Sequence, residues 1–139
     1  MDAQALPPEF VRLAAWLESL STGQRQNESE SFGDRLLEFD MDGLRVRLVR
    51  DRGQWAIEIG GDAVGGWYDT GIWECYLTGS SPSAEVMGTS RQAAFVHAHL
   101  QAIRDAVQRD RSLPAALSTL GWNRNRSLLG LPPAPPPSR

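Results

Sequence analysis

Two histidines, one cysteine and a scatter of carboxylates are the side chains of this 139-residue chain best suited to catalysis or metal binding. Each can be weighed by its spacing. His97 and His99 stand two apart, and on a helix their side chains diverge by about 200°, so they cannot share one metal ion. Cys75 lies between Glu74 and Tyr76, with no basic neighbour to draw its thiol toward the reactive thiolate. Asp40 and Asp42 imitate the opening of a calcium loop, but the later ligands and the closing glutamate are missing. Gly60, Gly61, Gly65 and Gly66 do not fall into a G-x-G-x-x-G pattern, and Gly79-Ser80-Ser81-Pro82 lacks the second glycine of a nucleophile elbow. Asp62, Asp69 and Glu74 are available for acid–base work, yet nothing in their spacing selects a pair. The chain has no lysine, since all fourteen of its basic residues are arginines. This excludes a P-loop lysine, a Schiff base and a kinase-type lysine. The expectation is therefore a protein that is not an enzyme, with no catalytic residue, no cofactor and no metal.

Binding remains. Residues 60–79 hold Trp67, Tyr68, Trp73 and Tyr76 beside Asp62, Asp69 and Glu74. Aromatic side chains concentrate the energy of protein interfaces, and carboxylates steer basic partners. Asp62, Trp67, Tyr68, Asp69 and Glu74 form the candidate partner-binding set. A formal charge of −3 and an isoelectric point near 5.3 do not suit nucleic acid. No apolar run reaches membrane-spanning length, and the first residues lack the basic and apolar regions of a signal peptide. A lone cysteine fits a reducing compartment. A cytoplasmic protein, monomeric or weakly dimeric, is expected.

The elements that must position these residues follow from periodicity. Pro7 and Pro8 can open a helix, and Phe10, Leu13, Leu17 and Leu20 then recur on one helical stripe. Residues 21–33 are polar and read as a loop. The period then drops to two: Leu37 and Phe39, then Leu44, Val46 and Leu48, then Trp55, Ile57 and Ile59 alternate with polar residues. Short turns ending in Gly43 and Gly53 separate these runs. Keeping the apolar sides together requires an even number of turn residues, for instance 41–42 and 51–52. That register sets Glu38, Arg45 and Glu58 abreast on a solvated face.

Residues 60–66 read as a flexible loop. The segment 71–78 fits either a strand or a short helix capped by Asp69 or Thr70 and closed by Gly79, and the bracketing residues favour the helix. Another loop spans 80–88. Thr89 to Gln92 has the pattern of a capping box, and Val96, Leu100, Ile103 and Val107 carry a helix to about Arg109. A shorter helix over 114–120 stops at Gly121. Five of the nine prolines fall in the last eight residues, which reads as a disordered tail. The expected fold is α+β. Its three- to four-stranded antiparallel sheet carries an N-terminal helix and C-terminal helices on one face, in a single domain over 1–121 with a tail over 122–139.

With those pieces in place, residues 44–110 resemble the small immunity proteins of bacterial polymorphic-toxin and contact-dependent inhibition systems. The resemblance rests on Arg52-Gly53-Gln54-Trp55 in a strand pair, on Gly66-Trp67-Tyr68-Asp69 followed by Ile72-Trp73, and on the long helix after them. It is a likeness of class: compact, acidic, α+β, with short tryptophan motifs and no catalytic set. It implies that the protein binds a cognate toxin domain and blocks its active site or substrate groove. A dimeric secretion chaperone for an effector protein is the alternative, with the helix at 89–110 as the dimer surface. An uncharacterised small enzyme comes third.

Overall fold

A computed structural model describes residues 6–29, 34–83 and 87–137. The elements run α1 (Pro8–Leu20), β1 (Gly23–Ser29), β2 (Asp34–Met41), β3 (Leu44–Asp51), β4 (Gln54–Gly61), β5 (Gly66–Asp69), α2 (Thr70–Thr78), α3 (Thr89–Arg109) and α4 (Leu113–Leu128). The strands form one antiparallel sheet in the order β1-β2-β3-β4-β5, so every strand lies beside its sequence neighbour. The α+β class holds, with five strands instead of three or four.

Of the two strands beyond the three expected from alternation, β1 comes from a segment read as a loop, and β5 overlaps the expected loop at 60–66 only at Gly66. β1, Gly-Gln-Arg-Gln-Asn-Glu-Ser, has no apolar residue to reveal a period; it exists through its backbone ladder with β2. The end of the expected loop at 21–33 and the middle of that at 80–88 lie outside the described residues. β5 is only four residues long and pairs with Glu58–Gly61. The pairing depends on Gly60, where a Cβ would fall 2.1 Å from the Gly66 carbonyl oxygen. Val64, in the turn between β4 and β5, is fully buried, so that turn is anchored to the core.

Both hairpin turns sit one residue later than the sequence suggests. Met41 pairs with Leu44 and Asp51 with Gln54, leaving 42–43 and 52–53 as the loops. The reason is backbone twist: the favoured two-residue hairpin needs positive φ at both positions, and glycine belongs at the second. Asp42 and Gly43 (φ 45° and 86°) and Arg52 and Gly53 (53° and 79°) meet that requirement. The number of turn residues stays even, so the apolar side survives the shift.

That side carries Leu37, Phe39 and Met41 of β2, Leu44, Val46 and Leu48 of β3, and Trp55, Ile57 and Ile59 of β4, all buried. Phe10, Leu13 and Leu17 of α1 meet them, as do Val96, Leu100 and Ile103 of α3 and Leu113 and Leu117 of α4. Each such side chain contributes about 1.5–3 kcal/mol by leaving water. Ile72 and Trp73 of α2 complete the cluster, and Tyr76 and Leu77 pack against its edge.

α2 is the short helix favoured by its bracketing residues. Asp69 Oδ1 accepts a hydrogen bond from the Ile72 N–H at 3.1 Å, and Gly79 closes the helix with φ 74°. α3 begins differently from expectation. Gly88 is its N-cap, and no capping box forms. The Thr89 hydroxyl donates instead to Glu9 at the start of α1. Gln92 turns inward, where its Oε1 accepts from the Ile57 N–H at 2.8 Å and its Nε2 donates to the Met87 carbonyl at 2.8 Å. The four-residue β5 stops short of Ile57, and a side chain from α3 takes the missing strand's place.

α4 does not stop at Gly121. It runs through Trp122-Asn123-Arg124-Asn125-Arg126 to Leu128, so the expected boundary at 121/122 falls inside a helix. The glycine that ends it is Gly130, with φ 73°. Residues 131–137 form no regular element but fold back on α4: Arg126 Nε donates to the Pro132 carbonyl and the Ala134 N–H to Asn123 Oδ1.

Candidate functional site

Among the described residues all four helices pack on the apolar side of the sheet, which leaves the alternate residues of β2–β5 on a second face. Its centre is Arg47 on β3. Register puts Arg47 opposite both Glu38 and Glu58, and Glu58 opposite Asp69, in one row across four strands. The next row holds Asp40, Arg45, Gly60 and Trp67. The expected Glu38–Arg45–Glu58 ladder is thereby corrected. The one-residue shift of the turns brings Arg47 between the two glutamates, while Arg45 faces Asp40 at 3.2 Å and reaches Glu38 diagonally at 3.5 Å.

Arg47 is held from two directions. Its Nε and Nη2 both lie 2.8 Å from Glu58 Oε1, and its guanidinium carbon sits 3.9 Å from the centre of the Trp67 ring. Trp67 can lean there because its cross-strand partner is Gly60, which has no side chain to compete. A cation over an indole is worth about 0.5–1 kcal/mol at a partly exposed site, and the ion pair adds a similar or smaller amount. The face is only partly solvated: Glu38 is buried, and Arg47 and Glu58 are half-buried. What results is a charged aromatic platform whose parts already hold one another in place.

The candidate binding residues do not converge. Trp67 lies on this platform, and Asp69 stands at the β5 end of the Arg47 row. Asp69, however, is committed to the fold, with one oxygen capping α2 and the other paired with Arg124 of α4. Tyr68 points to the opposite side of β5, where its ring packs against the core and lies 3.6 Å from where a side chain on Gly121 would begin. Asp62 is exposed in the turn between β4 and β5. Glu74 belongs to the helical layer and pairs with Arg91 of α3 at 2.9 Å. The stretch 60–79 is therefore divided among several surfaces, and Trp73 is wholly inside it, donating its Nε1–H to the Ile59 carbonyl at 3.1 Å. Sequence reasoning missed Arg47. Its signal was its place on the polar side of β3, which gains meaning only once β5 is known to be a strand.

The remaining titratable groups form links between elements. His97 lies against Trp16 of α1 and His99 against Phe95, with ring centres 4.7 and 4.8 Å apart, and both histidines are exposed. Cys75 is buried on α2. Among the described residues no group of three or more His, Cys, Asp or Glu is arranged to hold a metal ion. Tyr76 donates to Asp110 at 2.5 Å, joining α2 to the corner between α3 and α4. Burial, and then the hydrogen bond to this carboxylate, push the Tyr76 hydroxyl up to about 12. Asp110 is lowered in turn, first by the Ser112 hydroxyl and then by Tyr76. No helix among the described residues is long and apolar enough to cross a membrane. Comparison with known proteins adds no relative: no family model, curated protein or solved structure matches the chain.

Proposed function

We propose that this chain is a cytoplasmic immunity protein that binds a cognate bacterial toxin domain through the uncovered face of its sheet and blocks the toxin's active site or substrate groove. One observation supports this above the others: Trp67 and Glu58 converge on Arg47 in the middle of a face that no helix among the described residues covers. Tryptophan and arginine are the residue types that most often dominate interface energetics. Here they are preorganised, which lowers the entropy cost of ordering them on binding. Glu38, Asp40 and Glu58 pair with Arg45 and Arg47, so a partner would meet alternating charges beside the Trp67–Arg47 stack.

The chaperone alternative needs a dimer surface on α3. The outward side of that helix presents Ala94, His97, Ala98, His99, Gln101 and Ala102, and no large exposed apolar side chain lies on it. That composition favours a monomeric inhibitor. The test is co-expression with the C-terminal domain of a toxin encoded beside this chain. The wild-type chain protects the cells, whereas Arg47→Ala with Trp67→Ala weakens binding about 100-fold or more and removes protection. Cells that die despite the wild-type chain would end the immunity reading, and full protection by the double variant would remove this face from it.

A further inference from the structure

We infer that the C-terminal end of α4 and the proline segment after it form a second, separate docking element, one that inserts into an aromatic-lined groove of the kind that reads extended Pro-x-x-Pro chains. The element begins at a defined helix end. The Leu131 N–H bonds to the Arg126 carbonyl at 2.8 Å and the Gly130 N–H to the Ser127 carbonyl at 3.0 Å, the paired bonds of a Schellman cap. Such a cap normally buries its last residue against an apolar side chain one turn back. The residues there are Arg126 and Asn125, so Leu131 finds no apolar partner within the motif. It stays 45% exposed, beside Leu128 at 60% and Leu129 at 75%. Three large apolar side chains within four residues form a patch that needs an explanation, unlike single exposed leucines.

The chain then enters Pro132-Pro133-Ala134-Pro135-Pro136-Pro137. Proline fixes φ and favours the polyproline II helix, whose three residues per turn set Pro132 and Pro135 along one edge. Both are exposed, as are Pro133 and Pro137, whereas Ala134 and Pro136 are turned partly inward. The bonds from Arg126 to the Pro132 carbonyl and from Ala134 to Asn123 fix that orientation. A polyproline ligand gains affinity because little chain entropy is left to lose, and the tethers to α4 take that further. The leucines extend the apolar contact beside the prolines. This element shares no residue with the Arg47–Trp67 platform and does not rest on the toxin-binding proposal.

The experiment is a titration of the full chain with purified SH3, WW and EVH1 domains as probes, followed by NMR. Saturable binding by at least one probe is expected. Pro132→Ala with Pro135→Ala should weaken it about tenfold or more, while Trp67→Ala leaves it unchanged. Neither proline belongs to the core, so the melting temperature of the double variant checks that the fold is intact. If no probe binds, or if binding survives the double substitution, the inference fails. Concentration-dependent self-association abolished by Leu128→Ser with Leu129→Ser would give the patch to a second copy of the chain and overturn it too.

Discussion

The two faces of the sheet are built from alternate residues of the same strands, but they hold together by different means. On the helical side, Leu48, Ile57 and Ile59 are sealed from water, and two side-chain bonds there satisfy backbone groups of β4: the Ile57 N–H donates to Gln92 Oε1, and the Ile59 carbonyl accepts from Trp73 Nε1–H. On the other side, Arg47, Glu58 and Trp67 make bonds that would be weak individually and remain half open to solvent. The difference teaches where substitution should unfold the protein and where it should only alter what the protein meets. Tryptophans 67 and 73, six residues apart, fall on opposite sides of that division.

The largest effect is expected from Trp73→Ala, which should cost about 3–5 kcal/mol in urea denaturation, whereas Trp67→Ala should cost about 1 kcal/mol or less. Equal losses would erase the distinction between the faces. Gln92→Ala should follow at about 1–3 kcal/mol, because a buried N–H loses its acceptor, and hydrogen exchange at the Ile57 amide should quicken with it. Unchanged exchange there would mean that the bond is not made in solution.

Asp69→Ala sits at the border between the faces. It should remove about 1 kcal/mol through the lost cap of α2, and it should also release Arg124. Charge reversal at Asp69 is therefore a poor probe of binding, because its effect on the fold would be mixed with any effect on a partner. Glu74→Arg disturbs only an exposed pair and should change stability by a few tenths of a kcal/mol.

One further effect is the one most easily resolved by pH. Tyr76→Phe should cost about 1 kcal/mol at neutral pH. The Tyr76 hydroxyl is raised from an ordinary value of 10.0 to about 12 in the folded state. Its contribution is therefore fully present below pH 10 and lost as pH climbs toward 12. The phenylalanine variant should lose less stability across that window than the wild type. At the acid end, Asp110 is lowered by Ser112 and Tyr76. Its contribution is present above the ordinary aspartate range and fades as pH falls through the lowered value.

What the sequence could reveal follows the same division between faces. The helical side was legible because apolar spacing reports burial directly: Phe10, Leu13 and Leu17, the alternation through β2–β4, and Val96, Leu100 and Ile103 all lie where their periods put them. The open face was not. β1 leaves no apolar trace, and β5 is too short to show a period, so Trp67 could not be connected to Arg47, twenty residues earlier. Polar side chains also have several possible partners, and only three-dimensional proximity decides among them. Thr89 and Gln92 had the spacing of a capping box, yet Glu9 and the Ile57 amide claimed them. Gly121 looked like a helix end only because the pattern does not distinguish it from Gly130, where the chain has the positive φ that a cap requires.

The meander has a consequence for how the chain folds. Every strand pairs with the one just before it, and the hairpins between β2, β3 and β4 close over two residues, so the loop-closure entropy of assembling the sheet is small at each step. The docking of α1 against α3 is different. Thr89 on Glu9 and His97 on Trp16 join residues about eighty positions apart, with the whole sheet between them. These contacts should form late, and substitutions there, such as Trp16→Ala, should speed unfolding while leaving the refolding rate nearly unchanged.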